Sequence, residues 1–456
     1  MYLKNGLSIL LVSLLFISVT SCLGDEEEIE KITSADAQIT AFSLLHDSIP
    51  ALSKTVFTID QANGLIFNHD SLPFETVLYD SIQLQYAVGS ELAMNIKVLY
   101  DETPVWRTCG DSVYFTNNSL KFYSYTPEGT DSITYTVKIN IHQIDPDSVQ
   151  YTLIANDSDI DITAEHKIFA IAEKYYLFTK TEVPATAEVS DIITLNVSDN
   201  LKTWIPTALE NLPNYIDIQS GNNILVAITS GNPILDNNKL YVSEENNPAV
   251  WTKITSLSHP VISVLGYINQ AWALIIKEEN DSVFAFTTNF KDFEIGSKIP
   301  QGFPTNGFSS AHANSLFSDQ LTIVENLQSV WATQDGMYWV NLSNTKEQLP
   351  VIEGGTLFSY NNELWFIGGR VTKDSDNYNY SAGEYNKHVF YSPNGGVVWK
   401  AKPAKTQAPE AFTLREKASV LTDKDGKYFY IIGGQNNGGV VPNIWQGTLN
   451  SKLFAY

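Results

Sequence analysis

The sequence predicts an all-β chain, with an immunoglobulin-like β-sandwich in front and a six-bladed β-propeller behind. Three observations carry this expectation. Aromatic residues make up 12% of the 456 residues, which suits pleated, half-buried surfaces better than helices. Residues 132–143 alternate between apolar and polar side chains, the mark of a strand with one buried face. Beyond residue 148, short apolar strands ending in Ser, Thr or Asn return about every fifty residues, a propeller-sized period. Apolar residues are 43% and charged residues 17%, the balance of a packed chain and not a disordered one. With 51 acidic and 28 basic residues the net charge is −23, which excludes a binder that neutralises nucleic-acid phosphates.

Residues 1–21 read as an export signal. Lys4 provides a positive start, and the apolar run Leu7 to Val19 is shorter than the about 20 residues a membrane span needs. Val19-Thr20-Ser21-Cys22 resembles the bacterial lipobox, which implies cleavage before Cys22 and acylation of its thiol and new amino terminus. Several acyl chains anchor a soluble domain where a single chain does not. The alternative is an ordinary signal with a chance cysteine. Cys109 is then the sole remaining thiol, so no intramolecular disulfide is expected and packing must supply stability. Residues 22–32, with the run Asp25-Glu26-Glu27-Glu28-Ile29-Glu30, read as a self-repelling tether. This run resembles the acidic export tag of Bacteroidetes lipoproteins, which implies an outer-membrane location facing the cell exterior.

The sandwich is expected over 33–147. Val56 to Ile59 and Leu65 to Phe67 flank Asn63-Gly64, a hairpin signal. In the strand Ser132 to Gln143, Ile133, Tyr135, Val137, Ile139 and Ile141 face one way and His142 falls on the polar side. Asp145-Pro146-Asp147 breaks that strand and marks the boundary.

The propeller is expected over 148–456. Its repeat markers are Leu195 to Ser198, Leu240 to Ser243, Phe284 to Thr287, Val340 to Ser343, Val389 to Ser392 and Gly447 to Asn450. An aromatic residue opens the following strand at Trp204, Trp251, Phe293, Trp399 and Phe454, with Leu349 in that place in the fourth copy. A second strand precedes each marker, at Tyr175 to Phe178, Ile224 to Ile228, Ala271 to Ile276, Val330 to Ala332, Leu364 to Ile367 and Tyr428 to Ile432. Val149 to Ile154 would close the ring by joining the last blade. A pair of sandwiches is the alternative.

Gly368-Gly369 and Gly433-Gly434, each ending an apolar strand, resemble the kelch pattern. Ser392-Pro393-Asn394-Gly395-Gly396-Val397-Val398-Trp399 resembles the Asp-box turn of sialidase-type propellers, with Asn394 in place of Asp. Thr58-Ile59-Asp60, Asn68-His69-Asp70-Ser71-Leu72-Pro73 and Asn140-Ile141-His142-Gln143-Ile144-Asp145-Pro146-Asp147 carry a wider resemblance. It is to an uncharacterised family of Bacteroidetes lipoproteins with an immunoglobulin-like front and a kelch or galactose-oxidase-like propeller. That resemblance implies fold and location and brings no activity.

Several chemistries fail on residue supply. A sialidase clamps its substrate carboxylate with three arginines, but the chain has Arg107 in front and only Arg370 and Arg415 behind. Radical copper chemistry of the galactose-oxidase kind needs a Tyr–Cys crosslink, and residues 148–456 contain no Cys. The seven His are scattered without metal-ligand spacing, so no metal and no cofactor are expected. Asp157, Asp159 and Asp161 begin like a calcium loop, but Ile162 and Ile168 stand where Gly and Glu are required. A carboxylate pair for glycoside hydrolysis is not identifiable from linear sequence. No nucleophile elbow or phosphate-cradling loop is present.

Binding remains. In a propeller the connections between second and third strands share a face with those between blades, and two segments on that face are long. One runs from Arg370 to Lys387 with Tyr378, Tyr380 and Tyr385; the other, 296–319, carries Phe303, Phe308 and His312. Flat rings beside Asn and Asp suit a glycan or an envelope protein as partner. The expected function is therefore a membrane-anchored envelope lipoprotein that recognises one of these, besides the bilayer through Cys22. The rivals are a glycoside-active enzyme with paired carboxylates at the propeller mouth and a structural scaffold of an envelope complex.

Overall fold

The structure, a computed structural model, describes residues 36–79, 81–88, 96–126, 129–156, 162–181, 191–229, 239–314, 319–343 and 348–453. The signal segment, Cys22, the acidic tether, Asp157, Asp159, Asp161 and Phe454 lie outside the described residues. The chain is all-β and divides into two units, Met1–Asp145 and Pro146–Tyr456.

In the first unit, Ile39–Leu45, Ile82–Val88 and Ser112–Val113 form one sheet. The other sheet has the order Phe57–Asp60, Leu65–Asn68, Ser132–Lys138, Ser119–Tyr125, Ile96–Tyr100, Thr103–Arg107. Alternating residues of both sheets meet in one core that includes Ile39, Leu84, Val98, Phe122, Tyr135 and Val137. The expected hairpin is present. Asp60 Oδ1 accepts the N–H groups of Ala62 and Asn63, and the Asn63 amide donates to Oδ2 at 2.6 Å. These bonds, the Asn63 side chain first, hold the Asp60 carboxyl below its ordinary range. Gly64 is required in this turn: its φ is +61°, and a Cβ there would lie 2.3 Å from Thr134 O.

The strand expected to reach Gln143 ends earlier, at Lys138. Its antiparallel partner runs out at Ser119, opposite Lys138. Beyond that point Asn140 is taken by Asn68, which accepts its N–H at 2.6 Å and receives its amide at 2.6 Å. Alternation outlasts the ladder, because Ile139 is still buried while His142 is exposed.

Six four-stranded sheets occupy the described residues of the second unit. The first runs from strand Glu165–Ile171 to Ile205–Thr207, the second from Tyr215–Gly221 to Thr252–Lys253, and the third from Val261–Ile268 to Glu294–Lys298. The fourth runs from Ser309–Asn314 to Val340–Asn341 and the fifth from Thr356–Tyr360 to Lys400–Ala401. The sixth is composite. Ser419–Thr422, Phe429–Ile432 and Ile444–Leu449 are joined by Val149–Ala155 from the start of the unit, with Val149 opposite Leu449. Apolar cores lie between successive sheets, and one joins the sixth to the first through Tyr430, Ile432, Ile168 and Leu177. Strands covered on both sides are apolar throughout, as in Ala271 to Ile276. This closed succession is the arrangement of a β-propeller.

One repeat marker is corrected. In five copies the marker is the third strand of its sheet, but Val340–Asn341 is an outer fourth strand. The equivalent third strand is Ser329–Thr333, which also displaces Val330 to Ala332 from the second position; Asp319–Asn326 holds it. Val340 and Leu342 before Ser343 imitate the apolar run of a third strand.

The correction exposes a shared turn. Ser198, Thr287, Thr333 and Ser392 each accept a backbone N–H from a residue three or four positions on, at 2.8–3.0 Å. Asn200, Asn289, Asp335 and Asn394, two positions after them, accept further N–H groups at 2.8–2.9 Å. Each turn then leads into Trp204, Phe293, Trp339 or Trp399.

Candidate recognition face

The connection between the second and third strands of the fifth sheet is built, not loose. It leaves Ile367 through Gly368 and Gly369, whose φ values are 69° and 91°. A Cβ on Gly369 would lie 2.7 Å from Glu353 O, so only glycine fits this approach. Arg370–Val371 then pairs with Ile352–Glu353 as a small separate sheet. A short helical turn, Asp376–Tyr378, follows. Isolated bridges between Ser375 and Tyr380 and between Arg370 and Tyr385 fold the segment on itself. The matching connection of the sixth sheet leaves Ile432 through Gly433 and Gly434 and forms the hairpin Gln435–Asn436 with Gly439–Val440.

These two connections meet. The Arg370 guanidinium donates from Nε to Gly383 O at 3.1 Å and from Nη2 to Asn437 Oδ1 at 2.6 Å. Its carbon lies 5.1 Å from the centre of the Tyr385 ring, and the Tyr385 hydroxyl donates to the same Asn437 oxygen at 3.0 Å. Arg370 and Tyr385 are half-buried and Asn437 is exposed. Among the described residues Arg370 Nη1 meets no acceptor. The cluster thus presents guanidinium N–H groups beside an aromatic ring and a carboxamide, tied together by the hydrogen bonds to Asn437 and Gly383.

Other expected site residues have different roles. Tyr380 is buried, not presented. Its hydroxyl accepts the N–H groups of Lys387 and His388 and lies 2.8 Å from Asn386 Oδ1 and 2.7 Å from His388 Nδ1. Burial pushes the Tyr380 hydroxyl up to about 12 and pulls His388 below its ordinary value, with Lys387 adding to the latter. Tyr378 packs edge-on against Phe390, 5.2 Å between ring centres. Phe303 is buried among Phe284, Trp331 and Trp339, with ring centres 4.7–5.3 Å away, and Phe308 packs against the same core. The reason is that 296–319 is not one long connection: Glu294–Lys298 and Ser309–Asn314 are strands, and the span between them folds into the core of the third and fourth sheets. His312 is half-exposed and pairs with Asp319 at 2.9 Å.

Arg415 is fully buried. It donates to Thr413 O at 2.8 Å, Gly433 O at 3.1 Å and Asn443 Oδ1 at 2.7 Å, and its guanidinium stacks over Phe412. It braces the glycine turn of the sixth sheet and leaves Arg370 as the arginine of this face. The sequence signal for Asn437 is the polar turn Asn436-Asn437-Gly438-Gly439, one residue beyond the Gly433-Gly434 pair.

Elsewhere, a cavity of about 620 Å³ beside the second sheet is lined by Leu212, Pro213, Tyr241, Trp251 and Lys253, with no acid–base pair. Among the described residues, no group of three His, Cys, Asp or Glu side chains could hold a metal ion, and no helix is long and apolar enough to cross a membrane.

Residues 145–456 match the family described as the DUF6242 beta propeller domain, and residues 30–139 match the N-terminal domain of the same family, a domain of unknown function. No curated protein matches the chain.

Proposed function

The chain belongs to the DUF6242 family, and we propose that it is an envelope lipoprotein whose propeller recognises a glycan or protein partner. We read each of the six sheets as a blade, a reading supported by the core between the sixth and the first. The Gly-Gly exits of the fifth and sixth sheets support a kelch-like relationship. In front, Ile82–Val88 and Ser112–Val113 face the row Ser132–Lys138, Ser119–Tyr125, Ile96–Tyr100 across one core. That order supports an immunoglobulin-like sandwich.

The observation that carries the functional reading is the Arg370–Tyr385–Asn437 cluster. It joins two neighbouring connections and offers unused guanidinium donors next to a ring. Donors of this kind orient a carboxylate, hydroxyl or carbonyl, and the ring supplies an apolar contact. Cys22 supplies the bilayer anchor and the acidic run after it the stand-off, placing the propeller on the outer membrane facing outward; mass spectrometry of the amino-terminal peptide from purified membranes tests this through the acyl mass on Cys22. A glycan array combined with an envelope pull-down tests recognition. Arg370→Ala and Tyr385→Ala are expected to lose the hits of the native chain at an unchanged melting temperature. Hits that survive both changes would refute this face as the site.

A further inference from the structure

The six-stranded sheet of the front unit has an outward face that runs against the charge of the whole chain. Val98, Phe122 and Tyr135 point into the core, so their strand neighbours point out. The outward set on the four strands Thr103–Arg107, Ile96–Tyr100, Ser119–Tyr125 and Ser132–Lys138 includes Trp106, Tyr123, Tyr125, Lys97, Lys121 and Lys138. No Asp or Glu occupies an outward position there. Trp106 is 52% exposed. Lys97 pairs across to both Trp106 and Tyr123, which puts cation and rings in one row. The Trp106 and Tyr125 ring centres are 5.3 Å apart with planes tilted by 49°, forming a shallow trough. Lys97 Nζ sits 4.5 Å from the first ring centre and 5.4 Å from the second. Among the described residues none of the three lysines pairs with a carboxylate.

We propose that this face binds an acidic polysaccharide whose sugar rings bear carboxylates. The C–H face of a sugar ring stacks on an exposed indole, as apolar ligand surface does on aromatic platforms. The two rings hold the Lys97 ammonium by cation–π attraction, so the charge is already placed when a uronate arrives. Lys121 and Lys138 lie further along the strands and meet successive charges of an extended polymer. An open sheet face with only a shallow trough does not enclose a small molecule but suits a chain lying across it. Net charge −23 repels a polyanion over the rest of the molecule, and these four strands, with lysines and no carboxylate at their outward positions, escape that repulsion; the outward Asp60 lies on the far edge strand of the sheet. This site is independent of the propeller face.

The test is isothermal titration calorimetry of the full chain with polygalacturonate and with its methyl-esterified, uncharged form. Polygalacturonate is expected to bind, more weakly as salt is raised, and the ester to bind at least tenfold less tightly. Trp106→Ala and Lys97→Gln are each expected to lose at least tenfold in affinity, while Tyr338→Ala, an exposed propeller aromatic, leaves it unchanged. Should Trp106→Ala melt early, Lys97→Gln decides. Equal affinity for the ester, no polygalacturonate binding, or binding confined to phosphatidylglycerol vesicles or to a protein would each overturn the proposal.

Discussion

Tyr380 and Arg370 belong to one connection, and burial gives them opposite tasks. The Tyr380 hydroxyl accepts two backbone N–H groups, so Tyr380→Phe leaves buried donors without an acceptor. The expected cost is about 1–3 kcal/mol, read as a lower urea midpoint, whereas Tyr385→Phe stays within about 0.5 kcal/mol because that ring is more open. Burial also holds the Tyr86, Tyr380 and Tyr430 hydroxyls up to about 12, and it raises Tyr151 and Tyr215 in the same direction. An unfolded tyrosine ionises near about 10. The folded state therefore holds these protons more tightly, and the associated stability is complete below about pH 10 and falls as pH climbs from about 10 to 12. Urea midpoints followed alongside tyrosinate absorbance check this; a flat midpoint across that window would contradict it. Glycine acts at the same scale. Gly434→Ala places a Cβ 2.8 Å from Glu416 O at φ 105° and is expected to lower the melting temperature without help from any neighbouring change.

At the scale of the element, the recurring turn after the third strand does what a helix cap does elsewhere: one short side chain satisfies N–H groups the ladder cannot reach. Asp335 Oδ1 accepts from Met337 and Tyr338, both at 2.9 Å. Asp335→Ala is expected to cost about 1–2 kcal/mol, measured by chemical denaturation, and Asp335→Asn much less. Third strands of five sheets are legible in sequence as apolar runs ending in Ser, Thr or Asn, and three of them, ending at Ser198, Thr287 and Ser392, lead into this local turn. The fourth was misplaced because Val340 to Ser343 has the same polarity pattern on an outer strand, and polarity alone does not report the bonds made by Thr333. The candidate site was legible in part. Gly-Gly pairs announced both connections, but Arg370 and Asn437 lie 67 residues apart and meet only because their sheets are neighbours. For the same reason Tyr380 and Phe303 look like presented rings in the sequence although both are buried: aromaticity is visible there, but the neighbours that cover a ring are not.

At the scale of the whole molecule, the propeller is held by cores between sheets and by one strand borrowed from its beginning. Tyr151 on that strand donates to Thr406 O at 3.0 Å and meets Phe429 edge-on at 5.9 Å. Tyr151→Ala is expected to cost about 2–4 kcal/mol. Calorimetry should show a single propeller transition moving downward and not early melting of the sixth sheet alone. The pairing of Val149 with Leu449 spans 300 residues. During synthesis the strand that completes the circle emerges 300 residues ahead of its partner and waits for it. A ribosome that stops before Ile444–Leu449 releases an open arc with an uncovered sheet edge, prey for proteases and for aggregation. Completion of the ring is in this way a length check written into the topology, passed only once Ile444–Leu449 has been made.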